Sequence, residues 1–234
     1  MSDDLIILSK EEQITLNRIE DLNKPRGDGI EAGLKTRLHK GQIDALSYFY
    51  KKSYSLIIQP CGRKFGKSEE AIYYLWKSAL ENPGSANYYV TPEGSHGRKI
   101  VWDTWRIQRF LGKDSEKYTN QARSQVMLVP FKNGSFIQVI GSENFGSANG
   151  LTPDAAVYDE FKLFHPRFHT DFAPNLIAKA APLLIIGTIP TPGDRNYEQY
   201  FDVMEACKKD PRAIVITKTT FDNPINHMPA QKKA

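Results

Sequence analysis

The sequence predicts an α/β protein with a mostly parallel central sheet, flanking helices and an inserted β-hairpin. Three observations carry this. Short apolar runs of strand length alternate with longer segments of helical spacing, as expected for strands buried on both faces beneath crossover helices. One such run leads through a glycine-bearing turn into Gly66-Lys67-Ser68 at the start of a helical stretch. Another ends in two adjacent carboxylates, Asp159 and Glu160. Parallel sheets collect their ligands beyond the carboxyl ends of the strands, so both polar features fall where chemistry belongs.

Residues 1–35 read as a helical extension and linker. Ser9 and Glu12 form a capping box ahead of Ile14, Leu16, Ile19 and Leu22, and Lys24-Pro25-Arg26-Gly27-Asp28-Gly29 breaks the pattern. The core is expected over 36–226, with a tail over 227–234. Within it, 42–50 is a short helix and 54–59 a buried strand, broken by Pro60, Cys61 and Gly62. A helix over 68–80 ends at Asn82-Pro83-Gly84. Residues 87–90 form a strand and 97–111 a helix, whose Trp102, Trp105 and Phe110 read as core packing. Segments 125–131 and 135–140 flank an Asn133-Gly134 turn, the signature of a hairpin. Strands over 155–158, 183–187 and 213–217 and a helix over 196–207 complete the core.

Composition narrows the class. The 234 residues are 40% hydrophobic and 25% charged, with a net charge of +4, ordinary for a globular chain and only a weak hint of a polyanionic partner. Two cysteines make no disulfide framework. The acidic Met1-Ser2-Asp3-Asp4 start is unlike a signal peptide. No apolar run approaches the ~20 residues of a membrane span.

The segment Cys61-Gly62-Arg63-Lys64-Phe65-Gly66-Lys67-Ser68 joins a strand to a helix. Backbone N–H groups of such a turn converge with the helix N-terminus on a phosphate. Lys67 would neutralise the outer phosphates of ATP, and the Ser68 hydroxyl would ligate Mg²⁺. The strict phosphate-loop spacing fails by one residue, because Cys61 stands where a glycine is usual and Gly62 comes one place late. In Asp159-Glu160 the first carboxylate would help hold Mg²⁺ and the second would polarise an attacking water. Strand alternation is expected to send the two to different faces. A third apolar run ends in Gly187-Thr188-Ile189-Pro190-Thr191, where Thr188, or failing it Thr191, could sense the terminal phosphate.

These features place the chain in the additional-strand, catalytic-glutamate branch of the P-loop NTPases. Within that branch the chain resembles the ATPase domain of the large terminase subunit, the motor that packages DNA into tailed-phage and herpesvirus capsids. Leu38-His39-Lys40-Gly41-Gln42 resembles the family's adenine-contacting segment, with Gln42 the matching glutamine. Residues 61–68 resemble its variant phosphate loop, with the displaced glycine. Residues 155–160 match the Asp-Glu motif. Gly187 to Pro192, with Thr219-Thr220-Phe221-Asp222-Asn223-Pro224, match the coupling motif and the segment closing the ATPase half.

The resemblance implies ATP and Mg²⁺ as ligands, Glu160 and Lys67 as catalytic residues, and Arg63 or Lys64 as a charge supplied in cis. It implies double-stranded DNA, a portal protein and a small terminase subunit as partners. It also implies a pentameric homo-oligomeric ring docked on a procapsid in the host cytoplasm, with a monomer expected for an isolated domain and no membrane partner. Many relatives carry an arginine where this chain has Asn149, so a trans-acting arginine is sought among Arg98, Arg106, Arg109 and Arg123. The family continues into a nuclease half, and no DNA cleavage is expected from these 234 residues. Two alternatives remain: a single-core helicase-like ATPase, tested by strand displacement, and a nucleotide-binding DNA adaptor without turnover, tested by Glu160→Ala. His165 and His169 stand four apart but lack the glutamate of a zinc helix.

Overall fold

A computed structural model describes residues 38–50 and 54–223. The expected N-terminal extension and the tail lie outside the described residues. Seven strands form one sheet: β1 (Leu56–Pro60), β2 (Ala86–Thr91), β3 (Leu128–Pro130), β4 (Phe136–Gly141), β5 (Ala155–Asp159), β6 (Leu183–Gly187) and β7 (Ala213–Val215). Their spatial order is β3-β4-β2-β5-β6-β1-β7. All neighbours are parallel except the hairpin pair β3 and β4. The order puts β6 between β1, which feeds the phosphate loop, and β5, which carries Asp159. That interposed strand defines the additional-strand architecture expected above.

Four longer helices cover the sheet: α1 (Lys40–Tyr50), α2 (Lys67–Glu81), α3 (Pro166–Lys179) and α4 (Tyr197–Lys209). Period-2 alternation sorts the strand residues between two cores. Ile57, Tyr89, Val157, Leu184 and Ile186 pack with Ile72 and Trp76 of α2. Ile58, Tyr88, Val90, Tyr158 and Ile185 pack with Phe168, Phe172 and Tyr200 of α3 and α4.

Two segments differ from expectation. The helix predicted over 97–111 is a short turn, Gly94–Gly97, running into a π-helical turn, Arg98–Trp102, after which the chain leaves the helix. The Trp105 N–H and the Gln108 amide each donate to the Trp102 carbonyl at 2.9 Å, satisfying an acceptor that a continuing helix would have used. Trp105 then adopts φ 59 and lies 54% exposed beneath Arg109 at 4.4 Å, whereas Trp102 and Phe110 are buried as expected. Helix α3 has no counterpart among the expected elements, because Pro174 inside it argues against a helix. The apolar column Phe168, Phe172 and Leu176 overrides that penalty by packing into the core with Tyr158, Phe161 and Phe164, while Pro166 opens the helix where its missing N–H costs nothing.

Candidate functional site

The site forms at the carboxyl ends of β1, β5 and β6. After β1 the chain turns through Lys64 and Gly66, both with positive φ (63° and 103°), and enters α2 at Lys67. Phe65 points down and is fully buried, its ring edge-on to His39 at 4.8 Å. The side chains of Arg63 and Lys64 are exposed. Lys67 Nζ donates to the carbonyls of Cys61 at 2.9 Å and Gly62 at 3.1 Å, so the ammonium lies across the mouth of the loop. Cys61 is buried, and burial, with the charge of Glu70 adding, pushes its thiol up to about 12. It is therefore an inert small residue at neutral pH.

Two outside segments brace the loop. Gln42 Nε2 donates to the Gly66 carbonyl at 2.9 Å, and its Oε1 accepts from the His39 N–H at 2.8 Å. His39 Nε2 contacts the Phe65 carbonyl at 2.8 Å. Gln42 thus faces the phosphate loop itself through Nε2, while Oε1 is held by the backbone of its own segment. On the other side, the Thr220 hydroxyl donates to the Arg63 carbonyl and the Asn223 amide to the Lys64 carbonyl, each at 2.8 Å. This approach explains the displaced glycine: a Cβ on Gly62 would fall 2.5 Å from the Thr220 backbone nitrogen.

Asp159 ends β5 at 4% exposure. Burial pushes its carboxyl up to about 6, the neighbouring Glu160 charge adds to the rise, and a hydrogen bond from Tyr89 opposes it. Glu160 leaves the strand with φ 58. A left-handed turn, rather than strand alternation, therefore separates the two carboxylates. Glu160 Oε2 accepts from the backbone N–H and the hydroxyl of Thr188, each at 3.2 Å. Thr191 stands apart: its N–H and hydroxyl both bond Asp194 Oδ2, at 2.7 and 3.1 Å. Of the four arginines considered, Arg106 bonds the first turn of α2, its Nε donating to Glu69 at 3.2 Å. Arg98 bonds the Ser124 carbonyl at 2.8 Å.

The donor set fits a hard cation. Ser68 and Asp159 offer oxygen atoms, and a buried carboxylate pushed upward gains most from a nearby positive charge. Among the described residues no cluster of three or more His, Cys, Asp or Glu could hold a metal alone, and a nucleotide-bound Mg²⁺ needs none, since phosphate oxygens and water complete its shell. His165 caps α3 and His169 is packed among Tyr158 and Phe161.

No protein-family model and no curated protein matches the chain. Solved structures do. The large terminase of a thermophilic bacteriophage, in complex with ADP, superposes with TM-score 0.63 at 18% identity, over 83% of this chain and 48% of that one. The Thermus phage P74-26 large terminase ATPase domain gives TM-score 0.61 at 15% identity, over 84% and 90%. The bacteriophage HK97 large terminase gives 0.63 at 14%, over 84% and 42%. The fold is that of a large-terminase ATPase domain. The chain spans about half the length of the ADP-bound terminase it matches, and most of the P74-26 ATPase domain.

One residue of this site had no signal in the sequence: Tyr89 lies inside an apolar strand and reads as core. His39, Thr220 and Asn223 fall in segments the resemblance had marked, but their contacts with backbone carbonyls of residues 63–65 were not among the expectations.

Proposed function

We propose that this chain is the ATP-hydrolysing motor domain of a large terminase subunit, which drives double-stranded viral DNA into a procapsid. The observation that carries the reading is the meeting of Glu160 with Thr188 beside a phosphate loop. One thermophilic-phage terminase of this fold has been solved both with ADP and with ATP-gamma-S, which supports a nucleotide as the ligand.

In this reading the loop N–H groups and the α2 N-terminus receive the phosphates. Lys67 exchanges the carbonyls of Cys61 and Gly62 for phosphate oxygens. Ser68 and Asp159 would hold Mg²⁺, which when bound neutralises phosphate charge and polarises the transferred group. Glu160 accepts a proton from the attacking water, oriented by its two bonds from Thr188. When the terminal phosphate leaves, Thr188 passes the change to the loop after β6. Arg63 and Lys64, exposed at the rim, supply charge in cis or face a neighbouring subunit. The working assembly is a homo-oligomeric ring, pentameric by family resemblance, that acts with a portal protein and a small terminase subunit in the host cytoplasm. Among the described residues no helix is long and apolar enough to cross a membrane.

The test is steady-state phosphate release from Mg·ATP over a range of protein concentrations, with and without duplex DNA. Lys67→Ala should abolish turnover. Glu160→Gln should keep nucleotide binding and lose about 10²–10⁴ in rate. Parental turnover in both variants would refute the assignment, and a rate rising with protein concentration would support an assembly-dependent motor.

A further inference from the structure

The mechanism above gives no role to the hydroxyl of Tyr89. Tyr89 lies in β2, is fully buried, and pairs in register with Val157 of β5. Asp159 stands two residues further along β5, on the same face of the sheet. Diagonal neighbours of this kind lie about 7–8 Å apart, a span that a long, rigid side chain with a polar tip can cross. The Tyr89 hydroxyl does so, donating to Asp159 Oδ2 at 2.6 Å. A phenol has one proton to give, and here it goes to the carboxylate.

The Asp159 carboxyl is thereby held by one oxygen, Oδ2, which leaves the other free for the site. We propose that Tyr89 is the positioning residue of the metal subsite: its hydroxyl orients Asp159 so that the carboxylate presents an oxygen to the divalent cation of the bound nucleotide. This inference rests on the ATPase reading above. Packing alone does not call for the hydroxyl, because phenylalanine would fill the same apolar space between α2 and the sheet. Partners standing behind metal ligands commonly control affinity for the ion by about 10–100-fold.

The test uses the full chain with Tyr89→Phe, and binding of a fluorescent ATP analogue titrated with Mg²⁺. The half-saturating Mg²⁺ concentration should rise about tenfold or more, excess Mg²⁺ should restore binding, and binding in EDTA should match the parent. Tyr158→Phe is the control, since its hydroxyl lies 3.4 Å from His169 in the other core; it should keep the parental Mg²⁺ requirement. Incorporating 4-aminophenylalanine at position 89, which fills the space and returns a donor, should restore the parental requirement, and it serves as the folded variant if the phenylalanine form is unstable. An unchanged Mg²⁺ requirement in Tyr89→Phe, equal losses with Mg²⁺ and with EDTA, or no rescue by the amino analogue would overturn the role of Tyr89. A parent chain without Mg²⁺-dependent nucleotide binding would instead overturn the ATPase reading, and this inference with it.

Discussion

Replacing Glu70 by glutamine should stabilise the protein, and only above the acid range. Glu70 follows Ser68 by two residues on α2 and is fully buried. Its Oε2 accepts from Gln59 Nε2 at 3.1 Å, while its Oε1 and Gln59 Oε1 have no partner. Burial pushes this carboxyl well above the usual carboxylate range, and the Gln59 bond and the Lys218 charge oppose the rise. A protonated acid carries the donor that Gln59 Oε1 lacks. An ionised one would leave Glu70 Oε1 and Gln59 Oε1 as buried acceptors without a donor. Because the folded value lies above the unfolded one, the stabilising contribution is complete below about pH 4.3 and is lost as pH rises through the folded value. Glutamine keeps the shape, offers N–H in place of O–H, and does not titrate. The expected gain near pH 8 is about 1–3 kcal/mol, the cost of a mismatched buried polar group. That converts to roughly 2–12 °C in Tm for a domain of this size. Thermal unfolding of parent and variant without nucleotide, at about pH 4.5 and about pH 8, reads the difference directly. A Tm gain of equal size at both pH values, or a loss at the higher one, would refute the reasoning. Glu70→Ala, which strands Gln59, should destabilise at both.

Three further outcomes follow from the geometry. Gly62→Ala would put a Cβ 2.5 Å from Thr220 and should cost about 1–3 kcal/mol; an unchanged Tm would mean that the 218–223 segment does not pack on the loop. Gly187→Ala would bring a Cβ within 3.2 Å of the Glu160 Cα and 3.3 Å of its Oε2, so kcat should fall roughly 10- to 100-fold with nucleotide affinity retained, and a parental kcat would count against Glu160 as the base. Burial pushes His169 down to about 4, below its unfolded value, so the stability it contributes is present above about pH 6.5 and lost as pH falls toward 4. His169→Gln should flatten that acid loss by about 1–2 kcal/mol, a discounted figure because the ring is partly exposed, and identical pH profiles for the two proteins would rule this out.

Local chemistry made much of the fold legible. The strands over 54–59, 155–158 and 183–187 were readable because apolar runs of that length, bounded by Gly, Pro or carboxylates, have few other uses. The Asn133-Gly134 turn marked the hairpin, which the structure shows between β3 and β4. Helix α3 was not legible, since Pro174 speaks against it locally and only the aromatic core beneath repays it. The break at Trp105 was hidden for the opposite reason: helical spacing continued in the sequence while the Trp105 backbone took a left-handed conformation in space.

The sequence by itself determined which residues could do chemistry and in what order they occur along the chain, because turn chemistry, periodicity and motif spacing are short-range properties. Tertiary structure alone decided which of them meet. It placed β6 between β1 and β5, brought Thr188 rather than Thr191 to Glu160 across 28 residues, and turned Gln42 onto Gly66 across 24. It set Tyr89 against Asp159 across 70. Such contacts depend on strand order and on the register between neighbouring strands, and both follow from how two cores pack on opposite faces of one sheet.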